Sequence, residues 1–202
     1  MSEPTPIGAE RVSAHDPIGA ERVSEPAPIG ADAVVAPRGS RAASRLRLAV
    51  LRMRARGSLH AGRDIRVARG ARVRVDPGGS VTLGDGCLLG PGCRIDAAGG
   101  AVEVGAGARL GERSAIVSLA AVSVGADAVV GDWALVSDAE PGAADVETPI
   151  RHQPLSPRAV EVGAGARIGA HAVLGAGARV APGAAVGSYA VVPTPVAPLT
   201  SP

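Results

Sequence analysis

The chain has 202 residues, carries a formal net charge of +2, and contains no Phe, one Trp and one Tyr. This length suits one medium-sized domain with a tail, and the lack of large rings excludes a core packed with aromatic side chains. Aliphatic residues and Ala must fill the interior, which suits a narrow tube. The small net charge does not indicate a nucleic-acid partner. No signal-peptide core and no run of eighteen apolar residues occurs, so we expect a cytoplasmic protein.

Residues 1–39 contain a repeat of their own. The segment Pro6–Ser13 returns at residues 17–24, and a decayed third copy begins at Pro28. Because Pro interrupts every copy, the segment cannot bury enough surface to offset the entropy of ordering it. We therefore predict a disordered tail over residues 1–39, with a docking role as the alternative.

Residues 40–57 have the pattern of a basic amphipathic helix, which Ser40 can cap and Gly57 can end. The predicted apolar face consists of Leu46, Ala49, Val50 and Met53, with Leu48, Leu51 and Ala55 beside it. The arginines of the segment are expected on another face, at Arg41, Arg45, Arg52 and Arg56. Two interpretations stay open: the helix closes one end of the tube, or it rests on an anionic membrane surface. We take the cap as the working prediction.

From residue 63 to residue 192, aliphatic residues recur at a spacing of six, often with Gly directly after them. The clearest copies lie near the C-terminus, at Val162, Ile168, Leu174, Val180, Val186 and Val192. Six residues advance a helix by roughly 240°, so these side chains would not form a stripe on a helix. Units such as Ala166-Arg167-Ile168 instead suit a short strand with inward, outward and inward side chains. Hexapeptide periodicity of this kind indicates a parallel β-helix over residues 63–192.

Two further features depend on this register. Cys87 and Cys93 lie one hexad apart, at equivalent inward positions, and we interpret them as buried thiols rather than a disulfide or metal pair. The hexads stop between Val136 and Val160, and the polar, Pro-rich segment 137–159 is predicted to be a protruding functional loop. Residues 193–202 form a Pro-rich tail.

The hexads resemble those of the hexapeptide-repeat acyltransferases, the group that includes maltose, galactoside and xenobiotic acetyltransferases. The resemblance implies an all-β, left-handed parallel β-helix in which three hexads make one triangular coil. It implies acyl transfer, with acetyl-coenzyme A as co-substrate, to a hydroxyl or amine of a small or sugar acceptor. It also implies a homotrimer, which would cover outward apolar residues such as Val173 and Val191. The implied stacking pairs are Val162 with Val180, Ile168 with Val186, and Leu174 with Val192.

The loop strengthens this resemblance, because its acidic residues and its Pro149-Ile150-Arg151 exit are similar to the loop of that family. Where the family carries its catalytic His, this chain has Pro141 followed by Gly142. Acyl transfer needs a base near neutral pH, and His152 is the one His of the loop, so we predict His152 as the base. Asp138 is the candidate to orient it. The candidate substrate-binding residues are Glu140, Asp145 and Arg151.

For coenzyme A, outward basic residues near the loop are candidates to pair with phosphates. The predicted set is Arg167 and Arg179 at mid-strand, with His171 at a turn. No metal site is predicted. Two alternatives stay open: a non-catalytic β-helix scaffold or binding module, favoured by Pro141 and Gly142, and a metal-dependent hydratase, which requires three converging His ligands.

Overall fold

The chain folds as a parallel β-helix with one helix ahead of it. The computed structural model describes residues 40–55, 58–139, 152 and 155–192. In these ranges, eighteen short strands form three parallel sheets of six strands, and each strand passes the chain to the next sheet. The chain therefore winds through six three-sided coils. The prediction of an all-β parallel β-helix with an N-terminal helix is confirmed.

The three sheets are called faces A, B and C. Face A contains β1 (Leu59–Ala61), β4 (Ser80–Leu83), β7 (Ala101–Val104), β10 (Ala121–Val124), β13 (Val160–Val162) and β16 (Arg179–Val180). Face B contains β2 (Arg66–Val67), β5 (Leu88–Leu89), β8 (Arg109–Leu110), β11 (Val129–Val130), β14 (Arg167–Ile168) and β17 (Ala185–Val186). Face C contains β3 (Arg72–Val75), β6 (Arg94–Ala97), β9 (Ala115–Ser118), β12 (Leu135–Ser137), β15 (Val173–Leu174) and β18 (Val191–Val192).

The aliphatic residue of each hexad points into the tube and stacks on its equivalent in the next coil. The predicted register is confirmed, since the paired residues are Val162 with Val180, Ile168 with Val186, and Leu174 with Val192. The inward–outward–inward prediction also holds, because Ala166 and Ile168 are buried while Arg167 is exposed. A core of aliphatic side chains, with Ala and Cys at the corners, fills the interior as the composition required.

The corner between faces C and A differs from the other two. The connections there run over residues 76–79, 98–100 and 119–120, and in the fourth coil the chain leaves at this corner over residues 138–159. In the fifth coil, residues 175–178 turn the same corner. The departures from regular hexads therefore collect along one corner, as expected of insertions that serve a binding function.

The helix α1 (Arg41–Arg54) lies across the first coil and packs against β1, β2 and β3. Ser44 joins α1 to the open edge of the first coil. Its hydroxyl donates to the carbonyl of Ile65 (3.2 Å) and accepts from the N–H of Val67 (2.7 Å). Arg47 and Arg52 donate to the carbonyls of Val67 and Ala61. These contacts satisfy backbone groups that an open coil would expose. The structure therefore places the helix as a cap.

The predicted apolar face of this helix was wrong. Leu46 and Met53 are 68% and 72% exposed. The face that packs on the first coil consists of Ser44, Leu48, Leu51 and Ala55. The reason is that apolar residues occupy more than one side of the helix, and the hydrogen bonds of Ser44 select which side is buried. Ser40 is the N-cap as predicted, accepting from the N–H of Ala43, whereas Gly57 lies outside the described residues.

Cys87 and Cys93 are free, fully buried thiols, in agreement with the prediction. Burial raises the pKa of both, and it raises that of Cys93 from 9.0 to about 12. The thiolate is therefore disfavoured in the folded protein, and the unfolded chain loses the Cys93 proton first as the pH rises.

We expect this difference to lower stability at high pH. The contribution of Cys93 to the free energy of unfolding is fully present below pH 9. It is lost as the pH rises toward 12, by at most about 1.4 kcal/mol per pH unit. Urea unfolding of the wild type and of Cys93→Ala across this pH range measures the loss. Ala is a matched replacement because Ala134 and Ala172 are buried at the same corner in later coils. Parallel pH dependence of the two proteins would contradict the prediction.

The predicted segments 1–39 and 193–202, and residues 140–151 and 153–154 of the loop, lie outside the described residues, so these domain boundaries stay predictions. Deletion of residues 1–38 is expected to leave folding intact, because α1 already closes the first coil and Ser40 caps α1. The melting temperature of the truncated chain checks this, and a fall of several degrees would show that the tail packs on the solenoid. In the described part of the chain, no helix is long and apolar enough to cross a membrane.

Candidate functional site

The loop leaves and rejoins the solenoid through two residues at the C–A corner, Asp138 and Arg158, which we call the loop neck. Asp138 follows directly after β12, and Arg158 lies just before β13. The N–H of Arg158 donates to the carbonyl of Asp138 (3.0 Å), and the carbonyl of Arg158 accepts from the N–H of Gly177 (3.0 Å). The two ends of the excursion are thus joined to each other and to the coil that follows.

The side chain of Asp138 turns inward at the loop neck and is fully buried. Its carboxyl group accepts hydrogen bonds from the hydroxyl of Ser118 (2.9 Å) and from the N–H groups of Leu119 (2.7 Å) and Ala120 (2.8 Å). At the preceding coil, Ala98 and Ala101 donate their N–H groups to the backbone carbonyls of Ser118 and Ala120. In the fourth coil the backbone leaves for the loop, so the carboxyl of Asp138 takes the place of the missing carbonyls.

This geometry gives Asp138 an anchoring role at the base of the loop. Both carboxyl oxygens already accept hydrogen bonds from the third coil, and no part of the side chain is exposed to a substrate. Its predicted catalytic role stays a prediction, and the contacts describe a residue that positions the loop. His152, the predicted base, is exposed. The candidate residues Glu140, Asp145 and Arg151, and the Pro141-Gly142 pair, lie outside the described residues.

The corner between faces B and C carries a stack of three rings, the aromatic column, formed by Trp133, His171 and Tyr189. The ring centroids of Trp133 and His171 are 6.1 Å apart and those of His171 and Tyr189 are 4.8 Å apart, with the rings within a few degrees of parallel. The guanidinium carbon of Arg113 lies 4.7 Å from the centroid of Trp133 and extends the stack by a cation–π contact. The column holds the chain's one Trp and its one Tyr, and both are exposed.

Every member of this stack has a left-handed backbone. The φ angles are 51° at Arg113, 59° at Trp133, 59° at His171 and 61° at Tyr189, whereas Gly70 and Gly92 occupy the same corner in the first two coils. Bulky residues adopt this region at a cost of about 1 kcal/mol or more each. The sequence therefore departs from Gly at this corner only where it places a side chain in the stack.

Face C between the aromatic column and the loop neck is unusually apolar on its outside. Outward residues Ala115, Leu135, Val173 and Val191 pair with one another in register along β9, β12, β15 and β18. Leu135 is 36% exposed and Val191 is 65% exposed. An exposed apolar surface of this kind, bordered by polar residues, is typical of a binding or subunit interface. We call this surface, with the aromatic column and the loop neck, the face C site.

The predicted coenzyme A residues do not lie together. Arg167 points outward from face B, between Val129 and Ala185 of the neighbouring coils. Arg179 points outward from face A and forms an ion pair with Glu161 (3.4 Å). His171 alone belongs to the face C site. Arg167 therefore lies on face B, Arg179 on face A and His171 at the corner between faces B and C, and the individual assignments stay predictions.

The aromatic column was not predicted as a unit from the sequence. A signal was present, because Tyr189 follows His171 by three hexads, which is one coil. The long excursion separates Trp133 from His171 and hides the same relation between them. Among the described residues, no group of three or more His, Cys, Asp or Glu side chains is placed to hold a metal ion.

No protein-family model matches the chain, and no curated protein matches it. Similar folds occur among solved structures. One is a mutant of AntD, an N-acyltransferase from Bacillus cereus, in complex with dTDP-4-amino-4,6-dideoxyglucose and coenzyme A. It aligns with a TM-score of 0.55 and 16% identity over 65% of this chain and 71% of its own. A hexapeptide transferase family protein from Anaplasma phagocytophilum aligns with a TM-score of 0.37 and 16% identity, over 67% of this chain and 74% of its own. At this identity, the likeness to AntD establishes the β-solenoid fold.

Proposed function

We propose that the protein is an acyltransferase that moves an acyl group from coenzyme A to a hydroxyl or amine of a small or sugar acceptor. The observation that carries the proposal is the loop neck: a long excursion leaves a regular solenoid beside an exposed apolar face. The likeness to AntD supports the same reading, because a β-solenoid of this kind supports N-acyl transfer in that enzyme. We place the reaction at the face C site.

The chemistry assigns one task to each part of this site. The acceptor oxygen or nitrogen attacks the thioester carbonyl, loses a proton to a base, and expels the coenzyme A thiolate, which is then protonated. We propose His152 as the base, because an imidazole exchanges a proton readily near neutral pH. Asp138 serves indirectly by fixing the start of the loop that carries His152.

The acceptor class follows from the surroundings of the site and from the comparison. AntD is solved with an amino sugar attached to a nucleoside diphosphate, which carries both a nucleophilic amine and apolar ring faces. Sugars and planar rings pack well against aromatic side chains, and the aromatic column offers the largest exposed aromatic surface among the described residues. We therefore propose an amino sugar or a hydroxyl of a sugar as the acceptor and an acetyl group as the acyl group.

A second candidate function is a non-catalytic scaffold or binding module. Pro141 and Gly142 favour it, because neither supplies a base at the position where the resembling family has His. Coenzyme A binding, measured by calorimetry, separates the two: we expect binding in the micromolar to low millimolar range. Its absence at millimolar ligand would reject the acyltransferase proposal.

We further propose that the protein is a homotrimer in which face C meets a neighbouring copy. Leu135 and Val191 would then be buried, and threefold packing closes without an open edge. The double variant Leu135→Glu/Val191→Glu is expected to give a folded monomer, measured by light scattering at micromolar concentration. A monomeric wild type would contradict the proposal. The control Val129→Glu/Ala185→Glu, on the outside of face B beside Arg109 and Arg167, should leave the mass unchanged.

A further inference from the structure

The two sides of helix α1 differ in what they contact. Its inner side, with Ser44, Leu48 and Leu51, closes the first coil. Its outer side carries exposed apolar side chains, whereas terminal caps of solenoids normally present a polar surface to water. Here Leu46 and Met53 project outward and are 68% and 72% exposed. We call these two side chains the outer ridge.

The outer ridge is bordered by arginines in a repeated pattern. The triplet Arg45-Leu46-Arg47 returns two turns later as Arg52-Met53-Arg54. Since successive residues are about 100° apart around a helix, each apolar side chain is flanked by one arginine on either side. The helix contains five arginines and no acidic residue. The outer ridge therefore lies between two rows of arginines, of which Arg45 and Arg54 are exposed and Arg47 and Arg52 also donate to carbonyls of the first coil.

The positive charge continues beside the helix. A groove of about 1040 Å³ runs alongside α1 and the first coils, and seven arginines but only two aspartates line it. Arg45, Arg66 and Arg109 are among these, so helix and solenoid contribute to the same basic surface. The whole N-terminal end of the tube is thus positively charged, although the chain as a whole carries only +2.

We propose that the outer side of α1 binds the surface of an anionic lipid bilayer. An apolar ridge flanked by cationic side chains matches the boundary between acyl chains and anionic headgroups, where apolar residues insert and arginines meet phosphates. A second copy of the helix is a poor occupant, because ten arginines would meet without a compensating acid. A nucleic acid would pair with the arginines and leave the ridge in water. The solenoid then stands with its capped end on the membrane, and its three faces stay clear of the bilayer.

The test uses the full chain and cosedimentation with two kinds of vesicle, pure phosphatidylcholine and phosphatidylcholine with about a third phosphatidylglycerol. We expect binding to the anionic vesicles, weakened by added salt, and little binding to the neutral ones. Failure to bind the anionic vesicles, or equal binding to both kinds, would overturn the proposal.

Two variants separate the parts of the surface. Leu46→Ser/Met53→Ser removes the ridge, and Arg45→Gln/Arg54→Gln removes one charge from each flank. Each is expected to weaken partitioning roughly tenfold or more. In the arginine variant, each basic residue near an anionic surface contributes about a fivefold factor to binding. In the ridge variant, the apolar side chains that would insert among the headgroups are lost. The melting temperature should not change, because all four side chains are exposed. The matched control Arg167→Gln/Arg179→Gln removes two exposed, outward charges from the fifth and sixth coils, outside the groove beside α1, and should retain binding.

Three results would count against the bilayer. If the ridge variant binds as well as the wild type while the arginine variant does not, α1 binds polyanions in general and the apolar ridge does not insert into the bilayer. If the control Arg167→Gln/Arg179→Gln weakens binding as much as Arg45→Gln/Arg54→Gln, only overall charge matters. If the chain binds vesicles only after removal of residues 1–39, that segment is the occupant of the ridge in the full chain.

Discussion

Replacement of Asp138 by Ala is expected to lower the free energy of unfolding by about 3 to 5 kcal/mol. The substitution leaves the N–H groups of Leu119 and Ala120 without their acceptor at a buried corner, whereas the hydroxyl of Ser118 can still donate to the carbonyl of Ala101 (3.0 Å). An unsatisfied polar group in such a place costs about 1 to 3 kcal/mol, and the two losses act together. Chemical denaturation monitored by circular dichroism measures the change.

Asp132→Ala is the matched control for this prediction. Asp132 also accepts a backbone hydrogen bond from the preceding coil, from Glu112 (2.7 Å), but it does so at an exposed corner. Water can replace that single bond, so we expect a cost of about 1 kcal/mol or less. Equal effects at the two positions would show that Asp138 contributes no more than an ordinary corner residue, and the anchoring role would be wrong.

The register of the solenoid could be predicted from the sequence because it depends on a local, repeated pattern. One aliphatic residue per hexad, followed by small residues, determines both which side chains point inward and which residues stack. The three C-terminal pairs, such as Leu174 with Val192, follow from spacing alone. In the first coils the connections at the C–A corner vary in length, so the pattern there could be recognised only in outline.

The orientation of α1 could not be obtained in the same way. Apolar residues occur around much of the helix, so hydrophobic periodicity does not choose between Leu46 and Leu48 as the buried position. The choice is made by a polar residue, Ser44, whose hydroxyl matches the carbonyl of Ile65, just before β2, and the N–H of Val67 on β2. Such a match depends on the edge of a tertiary structure, which a helical pattern does not encode.

Asp138 illustrates the same limit at the candidate site. The sequence shows an acidic residue at the start of a loop, which suits an orienting or catalytic role. Its actual partners, Ser118 to Ala120, lie about one coil earlier in the chain, and the three-dimensional stacking of the coils brings them together. The aromatic column was hidden for a related reason, since the loop interrupts the spacing that links Trp133 to His171.

The largest effect on activity is expected at His152. With acetyl-coenzyme A and an amino-sugar acceptor, His152→Ala should lower the turnover rate roughly a hundredfold or more while coenzyme A binding persists, because the change removes the base and leaves the solenoid intact. His60→Ala is the control: His60 is also exposed, but it lies on face A in the first coil. Calorimetry with coenzyme A, followed by an acceptor screen and turnover measurements, provides the data.

The outcomes of this experiment distinguish a wrong choice of base from a wrong proposed function. If turnover of His152→Ala equals that of the wild type, the acyltransferase proposal stands and His152 is not the base. If coenzyme A binds but turnover is slow in the wild type, the loop lacks an efficient base, and Pro141→His or Gly142→His should raise the rate. The anchoring role of Asp138 then makes a further distinction. Asp138→Asn, assayed well below its melting temperature, should lower turnover without abolishing coenzyme A binding, because it loosens the start of the loop and leaves face C intact.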